Sequence, residues 1–174
     1  SRGLGDVYKR QGMPLAFVSQ MAFTGLDSYT YLAIPMFILA GYLMETGGLS
    51  KRLVNFAASL VGNIHGGLGI ITVLACAFFA AISGSSPGTV AAVGAMMIPP
   101  MVEKGYDRDF SAALTASAGS LGVLIPPSIP MVLYCIAGEV SIGEMFMAGF
   151  IPGFLMTAAL ALTTYVISKK NGYK

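Results

Sequence analysis

Residues 78 to 94 read FFAAISGSSPGTVAAVG, which places three serines, a proline and a threonine inside a long apolar stretch. In a soluble protein such a cluster is typical of a surface turn. Here, however, 55% of the 174 residues are hydrophobic, only 10% are charged, and the mean hydropathy is +0.74. A composition this apolar indicates an all-α integral membrane protein, with the polar cluster lying in a lipid environment.

Charge and cysteine content argue against several other classes. The formal net charge is +2, and neither a basic tract nor a zinc-binding spacing occurs, so nucleic-acid binding and metal chemistry are not predicted. Cys76 and Cys135 each lie in apolar sequence, where a free thiol behaves as a small hydrophobic side chain. These patterns predict no catalytic residue and no organic cofactor.

The charged residues divide the chain into segments. Residues 1–11, SRGLGDVYKRQ, carry four charges without an apolar pattern and resemble translated adaptor sequence, so we leave them out of the fold prediction. Charge-free runs then cover residues 28–44, 53–102, 110–138 and 145–168. We predict a truncated scaffold-type transmembrane region at 12–52, an interfacial helix and bend at 53–67, a re-entrant hairpin at 68–102, a broken transmembrane helix at 110–138 and a transmembrane helix at 145–168.

Lysine and arginine positions predict the orientation, because cytoplasmic loops of membrane proteins are enriched in these residues. The basic positions are Lys51, Arg52, Lys104, Arg108, Lys169, Lys170 and Lys174, whereas residues 139–144 (EVSIGE) carry only acidic charges. The runs 110–138 and 145–168 are therefore expected to cross the membrane in opposite directions. The run 53–102 is expected to leave and return to the cytoplasmic side.

The run 53–102 has an unusual construction for a membrane segment. Its first part, LVNFAASLV, is short and suits a helix lying at the membrane interface, and GNIHGG follows as a bend. The apolar stretch LGIITVLACAFFAAI before the polar cluster has 15 residues. As a helix it reaches only about 22 Å, whereas the hydrocarbon layer is about 30 Å thick. We therefore predict a re-entrant hairpin whose turn lies near the middle of the membrane.

A turn at that depth is a candidate binding site. Backbone amides and carbonyls within a membrane must be paired, so irregular backbone survives there only when protein encloses it or when it lines a wet cavity. The tip offers hydroxyl oxygens, carbonyls directed by glycine, and Thr89 as a helix cap. Oxygen ligands of this kind suit a hard cation such as sodium. The predicted tip residues are Ser83, Gly84, Ser85, Ser86, Pro87 and Thr89.

A second break is predicted within residues 110–138. This run of 29 residues exceeds one span and contains GSLGVLIPPSIP. Gly119 and Gly122 loosen the helix, Pro126 and Pro127 lack the amide donors that would continue it, and Ser128 is suited to cap a new half-helix. Discontinuous helices that meet near the membrane midplane often mark a transporter's binding site. The broken helix is therefore expected beside the hairpin tip.

Three stretches resemble a known family: IPMFILAGYLMETGGLSKRL, FFAAISGSSPGTVAAVG and GYDRDFSAALTASAGSLGVLIPPSIP. They are similar to the large membrane (permease) subunit of the tripartite ATP-independent periplasmic (TRAP) transporters, from about residue 12 to the end. The resemblance implies a multi-pass protein of the bacterial inner membrane that imports small carboxylates, such as dicarboxylates or sialic acid, coupled to sodium. It also implies a small membrane subunit and a periplasmic substrate-binding protein as partners, and an elevator-type motion.

The resemblance also assigns roles to the two breaks. The hairpin tip looks like half of the sodium and substrate region, and the segment from Gly119 to Ser128 looks like the neighbouring unwound helix. Half-helix N-termini at Thr89 and Ser128 would receive the substrate carboxylate. The family fold has two inverted halves and this chain resembles the first, so the chain by itself is expected to be inactive. Gly88 stands where the family usually has alanine, a change expected to loosen the tip.

Two other functions stay open at this point. The residues AISG at 81–84 superficially resemble the GxSG motif of intramembrane serine proteases, although Ala81 replaces glycine and no histidine follows Ser83. A non-transporting membrane scaffold is favoured by the absence of charged residues from the membrane runs. Packing of small residues between membrane helices is a further explanation of the Ser and Gly cluster.

Overall fold

The computed structural model describes residues 15–26, 35–36, 39, 43, 47–61 and 64–173. Contacts divide the chain into two units, Ser1–Pro35 and Met36–Lys174. The helices with described bounds are α1 (Leu15–Leu26), α2 (Leu49–Val61), α3 (Gly67–Ser83), α4 (Ser86–Glu103), α5 (Arg108–Gly119), α6 (Leu121–Leu124), α7 (Ile129–Gly138) and α8 (Ile142–Asn171). No strand occurs within the described ranges, which agrees with the predicted all-α class.

In the first unit the structure describes one helix, α1. Its sequence, LAFVSQMAFTGL, is apolar, and the side chains of Phe17 and Phe23 are exposed. Exposed aromatic side chains on an apolar helix fit a lipid environment better than water. The predicted leader at 1–11 lies outside the described residues, and so does most of the charge-free run at 28–44 within the predicted scaffold-type region at 12–52.

α3 is the central helix of the second unit. Its sequence, GLGIITVLACAFFAAIS, has no charged residue, and α2, α4, α5, α6 and α8 all contact it. Val73, Ala75, Cys76 and Phe79 are almost completely buried. A helix that is hydrophobic on every face is stable only when other helices or lipid surround it. The contacts of α3 therefore place it in the core of this unit.

α3 and α4 form an antiparallel hairpin with a two-residue connection. Near its open end the Thr72 hydroxyl lies 3.4 Å from the Met101 sulfur, and at its closed end the hydroxyls of Ser83 and Thr89 are 3.1 Å apart. The helices have 17 and 18 residues, and are therefore about 25 and 27 Å long. These helices occupy the predicted hairpin at 68–102, and its re-entry into a membrane stays a prediction.

The predicted broken helix is divided into three pieces. α5 ends at Gly119, the four-residue α6 follows, and α7 begins at Ile129 after the irregular residues 125–128. The combined α5 and α6 are bent 40° from α7. The main break coincides with the proline pair, where two amide donors are missing. Taken together as one broken span, the pieces are long and apolar enough to cross a bilayer.

α8 includes the predicted span at 145–168 and is, of the described helices, the one that has the length and apolarity of a membrane crossing by itself. Its buried face carries the small residues Gly149, Gly153 and Thr157, whose spacing of four allows close helix packing. Large apolar side chains are exposed elsewhere along it: Met147, Ile151, Phe154, Leu155, Leu162 and Val166. A surface of this composition suits lipid rather than water.

An aromatic cluster closes the base of the hairpin. Tyr106, in the turn between α4 and α5, stacks on Tyr173 with ring centroids 4.5 Å apart, and the Tyr173 carbonyl accepts a hydrogen bond from Gly66 N–H at 3.2 Å. Burial raises the pKa of the Tyr106 phenol, although Gly69 and Ser168 lie near enough to offset part of that rise. The hydroxyl makes no hydrogen bond of good geometry with any described residue. The stacked rings thus join the turn between α4 and α5 to the end of α8, and the Gly66 hydrogen bond joins that end to the start of α3.

We expect Tyr106→Phe to leave the stability of the full-length subunit unchanged or to raise it by up to about 1 kcal/mol, because it keeps the stacked ring and removes a poorly paired buried hydroxyl. Tyr173→Ala, which removes the stacking partner, should destabilise the subunit by about 2–4 kcal/mol. Thermal unfolding of the purified variants in detergent measures both effects. If Tyr106→Phe unfolds well below wild type, the hydroxyl has a partner that stabilises the fold.

Candidate functional site

The polar cluster forms the closed end of the hairpin, and Ser85 rather than Thr89 caps the second helix. α4 begins at Ser86, and Ser85 Oγ accepts a hydrogen bond from Gly88 N–H at 3.3 Å. The expectation that Thr89 caps this helix is therefore wrong, since Thr89 lies inside it. Pro87 explains the earlier start, because a proline in the first turn lacks only an amide donor that has no helical partner there.

Two buried hydroxyls bond to the backbone of Ser85. Thr89 is completely buried, and Ser83 is 6% exposed. Thr89 Oγ1 donates to Ser85 O at 2.8 Å, and Ser83 Oγ accepts from Ser85 N–H at 3.3 Å. The two hydroxyls are 3.1 Å apart, and Thr89 N–H also donates to Ser85 O at 3.0 Å. The polar groups of the tip therefore satisfy one another, as buried polar groups generally do.

The tip packs directly against the irregular segment of the broken helix. Ile129 N–H donates to Gly84 O at 3.1 Å. A Cβ placed on Gly84 would lie 2.6 Å from Pro127 O and 3.4 Å from the Cα of Ser128. The structure thus brings the two predicted breaks together, through contacts that are mainly between backbone atoms.

Both glycines of the broken helix that we singled out face the hairpin. A Cβ on Gly122 would lie 2.7 Å from the Ser85 carbonyl carbon and 2.8 Å from Ser86 N. A Cβ on Gly119 would overlap the side chain of Val90. Glycine at these two positions therefore allows α5 and α6 to approach α4 and the tip closely.

Ser128 precedes α7, and its side chain is buried. The residue is 1% exposed, and its hydroxyl forms no hydrogen bond with any described residue. It occupies the N-cap position as predicted, but its side chain makes no capping bond. Leaving a buried hydroxyl unpaired costs about 1–3 kcal/mol. A ligand that completes this hydroxyl's hydrogen bonding or coordination would therefore be favoured here.

The remaining predicted site residues differ in exposure. Ser86 is half-buried at the start of α4, and Pro87 is exposed. Pro126 is buried, and its Cγ would lie 3.2 Å from a Cβ on Gly149 of α8. A Cβ on Gly88 would lie 3.4 Å from Ser85 Oγ, which is an ordinary contact, so the tip accommodates either glycine or alanine at that position.

The geometry is unfavourable for nucleophilic catalysis at Ser83. The chain has one histidine, His65, which lies before the start of α3, whereas Ser83 is the last residue of that helix. The 17 residues of α3 therefore separate them by about 25 Å. The hydroxyl of Ser83 bonds to Thr89 and to the backbone of Ser85 instead. A serine nucleophile needs a base within hydrogen-bond reach.

A cation site in the part of the chain that the structure describes would be built from hydroxyl and carbonyl oxygens. No group of three or more His, Cys, Asp or Glu side chains is found in that part. Neutral oxygens are ligands that a hard cation accepts, whereas a transition metal prefers imidazole or thiolate. The donor set at the tip and the break therefore fits sodium better than zinc, copper or iron.

Comparison with known proteins places the chain among the transporters. Residues 5–174 match the family described as tripartite ATP-independent periplasmic transporter, DctM component. The chain belongs to this family. It is 49% identical, over 98% of its length, to the isethionate TRAP transporter permease protein DctMQ of Oleidesulfovibrio alaskensis, of which it covers 27%.

Two further relatives of this DctM-family chain carry other substrate names. The C4-dicarboxylate TRAP transporter large permease protein DctM of Rhodobacter capsulatus is 45% identical over 92% of the chain, which covers 40% of that relative. The sialic acid TRAP transporter large permease protein SiaM of Vibrio cholerae is 42% identical over 90% of the chain, which covers 37% of it. The chain thus spans 27 to 40% of these relatives. The predicted TRAP membership is confirmed, and the relatives are membrane transport proteins rather than enzymes.

The residues that pack the candidate site against α8 were not predicted from the sequence. A Cβ on Gly149 would lie 2.9 Å from Leu124 O, and a Cβ on Gly153 would lie 2.8 Å from Ile125 Cγ1. These contacts pack α8 closely against residues 124–126. The pattern GxxxGxxxT at 149–157 is the signal that would have found them, because small residues four apart mark close helix contacts in membranes.

Proposed function

We propose that the complete subunit carrying this chain is a secondary transporter that imports small organic carboxylates together with sodium. One observation carries the proposal: the buried hydroxyl of Ser128, which bonds to none of the residues that the structure describes, lies where the hairpin tip meets the broken helix. A polar group left unpaired inside a membrane protein is costly, and such groups mark ion and substrate pathways. The relatives named for isethionate, C4-dicarboxylates and sialic acid support an anionic substrate, since all three are organic anions.

Sodium suits the oxygens at this junction, because a hard cation accepts neutral hydroxyl and carbonyl ligands. Ser128 offers a hydroxyl oxygen that is not used by the fold. The same residue stands at the N-terminus of α7, where the positive end of the helix dipole attracts a carboxylate and opposes a cation, so a bound carboxylate would offset the cost of placing sodium there. The ion and the substrate would therefore bind next to each other, which is what coupling of their transport requires.

An elevator-type motion is supported by the continuous packing around the junction. The tip is bonded to the start of α7 through Gly84 O, and α8 packs on residues 124–126 through Gly149 and Gly153. Elements connected in this way would move as one body and carry the site across the membrane. Family membership supports the bacterial inner membrane as the location. It also supports a small membrane subunit as partner and a periplasmic protein that delivers the substrate.

Ser128→Ala tests the proposal. We expect sodium-dependent uptake to fall about tenfold at subsaturating sodium, since a coordinating hydroxyl contributes roughly 1.5 kcal/mol. Thermal stability should stay unchanged or rise, because the fold loses no hydrogen bond. Uptake is measured in proteoliposomes that contain the full-length subunit with its small membrane subunit, supplied with the binding protein and loaded substrate.

Ser168→Ala is the matched control. Ser168 is also completely buried with no hydrogen bond from its hydroxyl to a described residue, but it lies near the end of α8, beside Gly66 at the base of the hairpin. Its removal should leave the sodium dependence at the wild-type value. Wild-type sodium dependence in Ser128→Ala would show that the site assignment is wrong.

A further inference from the structure

The hydrogen bonds at the tip form a closed ring with a defined direction. Thr89 has one hydroxyl proton, and its shortest acceptor is Ser85 O at 2.8 Å. With the Thr89 proton placed there, Ser83 is the donor in the 3.1 Å contact between the two hydroxyls, and Ser85 O, which lies 3.4 Å from Ser83 Oγ, is the more distant acceptor for the Ser83 proton. Ser83 Oγ in turn accepts from Ser85 N–H at 3.3 Å. The ring runs from Ser85 N–H through Ser83 and Thr89 and returns to Ser85 C=O.

Both ends of the ring belong to Ser85, so the ring orients the peptide planes on either side of that residue. The peptide that joins Gly84 to Ser85 is trans and planar, so an N–H directed at Ser83 sends the Gly84 carbonyl in the opposite direction. That carbonyl accepts the hydrogen bond from Ile129 N–H at 3.1 Å. Ile129 directly follows Ser128. A single peptide unit therefore connects the ring to the backbone next to Ser128.

We propose that Ser83 and Thr89 are positioning residues of the sodium site and not its ligands. The Ser85 carbonyl already accepts hydrogen bonds from both the N–H and the hydroxyl of Thr89, which occupy its two lone pairs. Ser83 Oγ and Thr89 Oγ1 each donate one hydrogen bond and accept one within the ring, so one lone pair on each oxygen is left over, and neither side chain is more than 6% exposed. The ring acts through the Gly84 peptide, which it holds against the start of α7. This inference rests on the proposed transport function.

A ring of this kind predicts that its two side chains behave as one unit. Hydrogen bonds in a closed chain polarise one another, so the loss of any member weakens the rest. Removing Ser83 and Thr89 together should therefore do little more than removing either. Two independent ligands would behave differently, since the effects of their removal would multiply.

The test compares Ser83→Ala, Thr89→Val, their combination and Thr89→Ser in the full-length subunit within its transport complex. The sodium concentration for half-maximal uptake should rise roughly 2- to 10-fold in each single variant and by the same factor in the double variant. Thr89→Ser keeps the donor hydroxyl and should match wild type. The preference for sodium over lithium should not change, because the ligand oxygens remain. Multiplying losses, or an altered ion preference, would overturn the proposal in favour of direct ligation.

Hydrogen–deuterium exchange of the tip peptide gives a readout that does not depend on transport. The amides of residues 84–89 should exchange faster in Ser83→Ala and Thr89→Val than in wild type, and at the wild-type rate in Thr89→Ser. Unchanged exchange in the first two variants would show that the ring does not order the tip.

A wild-type complex whose uptake does not depend on sodium would instead contradict the proposed function, and the exchange experiment would still decide whether the ring orders the tip. If Ser83→Ala and Thr89→Val fold more slowly or melt at a lower temperature while their sodium dependence is unchanged, the ring has only a structural role. That result would overturn the positioning proposal.

Discussion

Gly84→Ala is expected to destabilise the full-length subunit by about 2–5 kcal/mol and to abolish sodium-dependent uptake. Two effects add at this position. The backbone has φ +59, in the left-handed region, where a Cβ costs roughly 1–2 kcal/mol. The new Cβ would also lie 2.6 Å from Pro127 O, a backbone atom that cannot move aside without shifting the irregular segment. The substitution therefore pushes the hairpin tip away from the broken helix.

Gly105→Ala separates these two effects. Gly105 has φ +87, and a Cβ there would meet nothing within 4 Å. It should show the conformational cost of about 1–2 kcal/mol without a loss of uptake. Thermal unfolding in detergent and uptake in proteoliposomes, measured on both variants, give the comparison. Equal melting temperatures for Gly84→Ala and Gly105→Ala would mean that the tip does not press on Pro127.

Much of this arrangement could be predicted from residue order alone. The hairpin follows from an apolar stretch too short to cross a membrane, and the broken helix follows from Pro126 and Pro127. Both are local properties: the first depends on helix rise per residue and the second on a missing amide donor. α2 begins at Leu49, four residues before the predicted start at 53. The helix extends through Lys51 and Arg52 because these residues are charged yet good helix formers.

Contacts between distant residues could not be predicted in the same way. The choice between Ser85 and Thr89 as the helix cap depends on where the chain turns, and both residue types cap helices. The bond from Ile129 N–H to Gly84 O, a pairing across 45 positions, depends on how the hairpin packs against the broken helix. The spacing along the chain predicts that the two breaks lie near each other, whereas tertiary packing decides which atoms come into contact.

Gly122→Ala is expected to destabilise the subunit by about 2–4 kcal/mol and to remove sodium-dependent uptake, although alanine is intrinsically the better helix former. The added Cβ would lie 2.7 Å from the Ser85 carbonyl carbon and 2.8 Å from both Ser85 O and Ser86 N. All three are backbone atoms at the start of α4. Gly143→Ala is the control in a helix with open surroundings, since its Cβ would meet only Ser141 Oγ at 3.8 Å. It should be neutral or stabilising by about 0.5–1 kcal/mol.

Rescue experiments distinguish a backbone contact from a side-chain contact at these glycines. Gly119→Ala should also destabilise the subunit, but its Cβ would meet the side chain of Val90, so adding Val90→Ala should restore most of the lost stability and uptake. No such partner exists for Gly122→Ala, because trimming the side chain of Ser85 leaves the contacting backbone atoms in place. Rescue of Gly122→Ala by Ser85→Gly would contradict this geometry. We expect that rescue to fail, and we expect the Gly119→Ala and Val90→Ala pair to recover stability and uptake. Both results together would show that direct backbone contact holds the tip against the broken helix.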